Sequence, residues 1–232
     1  MMRAACGPPF FIAARGALAR VVLTAALCLF AVFPGGASAE ILHAYAKSVL
    51  DGDTLILDSG TTVRLLGLDA PEIAHKGKPG QYYGREAREI LRGFVAGKLL
   101  DIEVAGDGRD RYGRVLGIVR SGENNLNKEM VAAGAAFFYW HEDVPQDLES
   151  MLLAAQTQAI RQDAGFWPRI KALPAPASPY IGNSRSHRFH APGCPLGVKI
   201  SRKNRRAFPT ASDAFAAGFA PARNCTPWPG AD

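Results

Sequence analysis

From Ile41 onward, apolar residues come in short runs separated by turn-forming residues. ILHAYAKSVL (41–50), TLILD (54–58), TVRLLGLD (62–69), LLDIEVAG (99–106) and RVLGIVR (114–120) are continuously apolar or alternate with polar residues. That is the period of sheet strands. LDGDT and DSGTT divide the first three runs, with Gly beside Asp permitting tight turns. Between the third and fourth runs the spacing changes. GREAREILRGFV, about 84–95, places Ala87, Ile90, Leu91 and Phe94 at helical intervals. LNKEMVAAG predicts a short helix ending at Gly134, and QDLESMLLAAQTQAIRQDAG a longer amphipathic one ending at Gly165. Three strands, a helix, two strands and two helices predict an α+β fold that is mainly β. A five-stranded barrel of the oligonucleotide/oligosaccharide-binding (OB) type with flanking helices fits this order.

The two ends of the chain depart from that pattern. Arg3, Arg15 and Arg20 precede the thirteen-residue apolar run VVLTAALCLFAVF, which a Pro-Gly break and ASA follow before Glu40. A basic start, an apolar run too short for a comfortable membrane span and alternating small residues predict a secretory signal over 1–39. The expected mature protein starts at Glu40 and is periplasmic or secreted, a monomer without stable membrane association. At the other end, PRIKALPAPASPY begins a Pro/Ala stretch, read as an extended linker over 169–180. It separates a body, 40–168, from a small tail module, 181–232.

Charge sharpens this division. Residues 40–168 carry 14 Lys and Arg against 19 Asp and Glu, a net of −5; residues 169–232 carry 10 against 2, a net of +8. The chain's formal net charge of +6 therefore conceals an acidic body and a basic tail. Once Cys6 and Cys28 leave with the signal, Cys194 and Cys225 remain. Two cysteines in an oxidising compartment predict a disulfide.

Chemistry concentrates in the body. RLLGLDAPE (64–72) has Arg64 inside an apolar run and Asp69 and Glu72 just past it; Asp51 and Asp53 lie in VLDGDT, and RDRYGR spans 109–114. In a closed barrel, strand ends distant in sequence share one rim. Two carboxylates with nearby carbonyl oxygens suit a hard cation such as Ca²⁺. Two arginines suit a phosphate, and a further carboxylate can hold a water. These are the parts of a phosphodiesterase site. Singly, each is weak: DGD is commonly a hairpin turn, a strand arginine a rim ion pair, and RDRYGR a solvated loop.

Together, VLDGDT, VRLLGLDAPE, YGREA, DRYGRVLGIV and LNKEMVAAGAAFFYW, in that order over about 45–168, resemble the staphylococcal (micrococcal) nuclease family. The resemblance implies a calcium-dependent nuclease that hydrolyses DNA and/or RNA to 3′-phosphate products. It implies that Arg64 and Arg114 contact the scissile phosphate and that Glu72 holds the attacking water. It also implies that Asp53, Asp69 and the carbonyl of Ala70 bind calcium, Ala70 standing where the family archetype has threonine. Tyr112, Tyr139 and Trp140 fall where the family contacts substrate, most of the FFYW quartet (137–140) otherwise reading as core. The rival reading is a catalytically silent barrel that only binds nucleic acid, but silent copies typically lose members of this set.

The tail is similar to the metal-binding module related to the amino-terminal domain of the Ada DNA-repair protein. His190, Cys194 and Cys225 match that pattern, while Ala222 stands where its closing C-x-x-C has a cysteine. A zinc site would lack one of four ligands, so a Cys194–Cys225 disulfide is the preferred reading and a degenerate zinc site with His190 the alternative. The basic tail is expected to draw polyanionic substrate to an acidic body.

Overall fold

The structure is a computed structural model describing residues 40–75, 77–225 and 228–230, the side chain of Asp107 excepted. The signal read over 1–39, with Cys6 and Cys28, lies outside the described residues. The first strands are β1 (Ile41–Val49), β2 (Thr54–Leu57), β3 (Thr62–Leu65) and the two-residue β4 (Leu68–Asp69). Helix α1 (Gly84–Val95) leads to β5 (Leu99–Arg109), β6 (Val115–Ser121), β7 (Asn124–Asn125), α2 (Leu126–Ala132) and β8 (Phe137–Phe138). Helices α3 (Gln146–Arg161) and α4 (Trp167–Lys171) follow.

Five strands close into a mixed barrel. Antiparallel neighbours run β3-β2-β1-β5-β6, and β3 then pairs with β6 in parallel, Val63 opposite Val115 and Leu65 opposite Gly117. The alternating residues Leu55, Leu57, Val63, Leu65, Leu100, Ile102 and Val119 are buried in its core. Burying such side chains contributes roughly 1.5–3 kcal/mol each. The OB-type barrel with flanking helices is the architecture the strand order predicts.

One run is divided. TVRLLGLD reads as one strand, but the chain turns at Gly67, whose φ is +79°. A Cβ there would sit 2.7 Å from Leu152, so conformation and space both call for glycine. Past the turn, β4 leaves the barrel and pairs with β8, Asp69 opposite Phe137. The turn re-aims Asp69, and a buried amide secures it. Asn127 Oδ1 accepts from Val119 N–H at 2.8 Å, and its Nδ2 donates to Leu66 O at 2.8 Å and Gly117 O at 3.2 Å. Gly117 O keeps Leu66 N–H at 2.9 Å, so Asn127→Leu removes the side-chain partners of Val119 N–H and Leu66 O and is expected to cost about 2–4 kcal/mol, at 1–3 per orphaned group. Urea denaturation measures it; a change under 1 kcal/mol contradicts this role.

Beyond α4 lies a small four-stranded sheet, ordered β11-β9-β10-β12. Its strands are β9 (Tyr180–Asn183), β10 (Arg188–His190), β11 (Arg205–Phe208) and β12 (Ala220–Pro221), with helices α5 (Pro195–Val198) and α6 (Ala211–Ala216) between them. Residues 169–171 of the stretch read as linker are thus helical, and Tyr180 already belongs to a strand. Body and tail share a second core of Phe137, Phe166, Trp167, Phe189 and Phe215, whose rings meet mostly edge to face. Gln156 bridges the halves, accepting from Phe138 N–H at 2.8 Å and donating to Phe215 O at 2.6 Å. No helix among the described residues is long and apolar enough to cross a membrane.

Candidate active site

The β1–β2 turn and the segment after β4 meet at one barrel rim. Gly52 sets their approach: a Cβ there would lie 2.7 Å from the Cβ atoms of Ala70 and Ala87. With that contact made, Ala70 N–H donates to Asp53 Oδ2 at 2.8 Å, tying one loop to the other. Asp53 and Asp69 are nearly fully buried, at 2% and 5% exposure. A buried carboxylate needs a partner, and Arg64 supplies one for both. Thr54 stands opposite Arg64 in the β2–β3 ladder, which places the guanidinium beside Asp53. Arg64 Nη1 pairs with Asp53 Oδ1, and Nη2 donates to Asp69 Oδ1 at 2.6 Å and to Leu68 O at 3.1 Å.

Glu72 follows Pro71 at the lip of the rim, its side chain half exposed. Its backbone is clamped by Gln81, whose Oε1 accepts from Glu72 N–H at 2.6 Å while Gln81 N–H donates to Glu72 O at 2.8 Å. Burial, and next the Asp69 carboxylate, push the Glu72 carboxyl above its usual range, against the pull of Arg223. Burial likewise raises Asp51, which caps Asp53 N–H at 3.1 Å.

Arg114 precedes β6, beside the strand that carries Arg64. Its Nε donates to Asp110 Oδ2 at 2.8 Å, with Nη2 2.7 Å from the same oxygen. Tyr112, 68% exposed, lies under the guanidinium groups of Arg111 and Arg114. Tyr139 has the Arg188 guanidinium 3.5 Å from its ring centre, and Trp140 packs on His187 at 4.9 Å. Both rings thus face the tail, while Phe137 and Phe138 are buried.

Arg223 is the residue that sequence reading missed. Its Nη2 donates to both oxygens of Asp69, at 2.8 and 2.9 Å, from 154 positions away. No local signal marks it, because only the docking of the tail brings it there. Gly52 was readable as a turn residue but not as the contact that joins two loops.

The tail holds a separate constellation. His190, Cys194 and Cys225 come together there, their potential ligand atoms within 4.8 Å of one another. The two sulfurs are joined as a disulfide, with His190 Nδ1 3.3 and 3.4 Å from them.

At the rim, buried carboxylates, arginines and a half-exposed acid converge, and comparison with known proteins agrees. A family model described as staphylococcal nuclease homologue matches residues 62–169. An Escherichia coli protein named "Uncharacterized endonuclease" is 36% identical over 137 residues, covering 57% of this chain and 82% of that one. The chain belongs to the staphylococcal nuclease family. The thermonuclease of Staphylococcus intermedius is 31% identical over 127 residues, covering 53% of this chain and 74% of its own. Endonuclease YhcR of Bacillus subtilis (strain 168) is 30% identical over 196 residues, 74% of this chain but only 16% of that protein. The family match contains Arg64, Asp69, Glu72 and Arg114; Asp53 precedes it and is joined to it by the contacts with Arg64 and Ala70.

Proposed function

We propose that this nuclease, a phosphodiester hydrolase by its family, is an exported monomer that cleaves DNA and/or RNA with calcium, leaving 3′-phosphate ends. The observation that carries the reading is the meeting of Asp53, Arg64, Asp69 and Glu72 at one rim. The donor set fits a hard cation. Asp53 and Asp69 are carboxylates, the Ala70 carbonyl lies between Asp69 and Glu72 in sequence, and oxygen is the ligand that calcium takes. Bound there, calcium would supply positive charge to a phosphoryl oxygen.

The chain's own groups would do the rest. Glu72, its backbone fixed by Gln81, would orient a water and accept its proton at the carboxylate. Arg64 and Arg114 would donate to the phosphoryl oxygens as charge builds on the five-coordinate transition state, with the 5′-oxygen leaving in line. The Asp110 contacts hold Arg114 ready for that role. Tyr112, exposed beside Arg114, would lie along the strand, and Tyr139 and Trp140 would reach bases only at the edge of the tail. In an oxidising compartment the Cys194–Cys225 link would persist as a disulfide, and the Ada-like pattern, lacking a ligand at Ala222, would hold no closed zinc site.

A plasmid and an RNA incubated with the protein and calcium test the reading. Cleavage is expected, stopped by chelator, restored by calcium and leaving ends that a 3′-phosphatase converts. Binding without cleavage would instead identify a silent nucleic-acid-binding barrel.

A further inference from the structure

A cavity of about 740 Å³ opens beside Glu72, bounded on one side by the segment reaching Gln81 and on the other by Pro221, Arg223 and Trp228 of the tail. The tail therefore builds one wall of the site. Its backbone there is fixed on both sides of Arg223. Ala220–Pro221 pairs with β10, Ala222 N–H donates to Phe189 O at 2.8 Å, and Cys225 is bonded to Cys194. The side chain is freer than its backbone. Arg223 is 63% exposed against 7% for the Asp69 side chain, so its head can leave that carboxylate without opening the core. Asp69 has Arg64 at 2.6 Å as well, so it stays paired when Arg223 moves.

The geometry points to Arg223 as a third guanidinium of the site, one that binds a phosphate of the nucleic-acid strand; the inference rests on the nuclease reading above. Charge accounting supports it. Asp51, Asp53, Asp69 and Glu72 bring four carboxylates, and Arg64 and Arg223 two positive charges, while Arg114 is matched by Asp110. With a divalent cation in place and all four carboxylates ionised, the cluster is neutral. Without Arg223 it would carry one net negative charge and repel the phosphodiester. Only Nη2 contacts Asp69 and Glu72 among the described residues, leaving other edges of the planar fork for phosphate oxygens. The acidic body thereby draws its compensating charge at the site from the basic tail.

The test compares Arg223→Ala, Arg223→Lys and Arg202→Ala in the full chain, at saturating calcium, on a short single-stranded oligonucleotide. Arg202 is an exposed tail arginine outside the site and controls for net charge. Arg223→Ala is expected to raise KM roughly tenfold, the scale of one charge-assisted hydrogen bond, with kcat little changed. Lysine recovers part of the loss, and Arg202→Ala leaves KM alone. A binding readout accompanies this: in a Glu72→Gln background, anisotropy titrations across salt should show Arg223→Ala reducing the slope of log affinity by about 0.7–0.9. An unchanged KM and slope, or an equal effect from Arg202→Ala, overturns the assignment. So does a drop in calcium affinity by calorimetry with KM at saturating calcium unchanged, which would make Arg223 a support for the carboxylates instead. If Glu72→Gln cuts at the parent rate, the nuclease reading of the rim fails, while the KM comparison still decides the role of Arg223.

Discussion

Arg114→Ala and Glu72→Gln are each expected to lower kcat by about 10²-fold or more while leaving the protein folded. Arg114 lies in a loop closed by Asp110, and Glu72 is half exposed and replaced by a residue of the same size, so neither substitution opens a cavity. For Arg114 the loss is on the scale that removing one preorganised donor produces, and for Glu72 on the scale of a lost general base. Arg64→Ala would lose activity too, but for two reasons at once. Its guanidinium bridges Asp53 and Asp69, and removing it leaves the charge of Asp53 buried without that partner. Breaking a buried pair by removing one partner costs about 3–5 kcal/mol. The informative comparison is therefore kcat against melting temperature for all three. Glu72→Gln should move only kcat. Arg114→Ala should move kcat with a smaller loss of melting temperature, because Asp110 loses its cation but keeps the backbone N–H donors of Tyr112 and residue 114. Arg64→Ala should move both strongly. Parent-like kcat in Arg114→Ala or Glu72→Gln removes those residues from the proposed chemistry.

What the sequence showed and hid follows from the range of the forces involved. Strand and helix periods are local, and α1, predicted over about 84–95, spans Gly84–Val95. The barrel was legible because alternation fixes which face of each strand is buried, and few closed arrangements satisfy five such strands. The motif residues were legible because turns such as DGD and DAP keep their charged groups close in sequence to the strands that place them. The turn at Gly67 was less so: a glycine within an apolar run does not announce that its backbone turns left-handed. Arg223 was hidden for a different reason. Its position depends on the tail packing onto Phe137 and its neighbours, and a Pro/Ala stretch gives no indication of whether the segments it joins touch. The basic tail read as a remote attractor; in the structure it is part of the wall of the cleft.

That packing yields the other large effect. Phe215 is 2% exposed, its ring centre 5.2 Å from Phe137, 5.1 Å from Trp167 and 5.2 Å from Phe189, and its carbonyl accepts from Gln156. Phe137 stands opposite Asp69 in the β4–β8 pair. Phe215→Ala is expected to cost about 3–5 kcal/mol through lost burial and the cavity left behind. How that loss appears depends on whether the halves unfold together. A shared aromatic core predicts a single denaturant transition for the parent, shifted as a whole in the variant and followed equally by barrel and tail probes. The catalytic consequence runs through the same contacts. With Phe137 loosened, β4 loses the support behind Asp69, and the backbone carrying Arg223 loses its seat. Activity per folded molecule should therefore fall in Phe215→Ala, although the side chain touches none of the site groups. A tail that melts separately, with barrel stability and kcat intact, would show that the aromatic contacts join two units without coupling them.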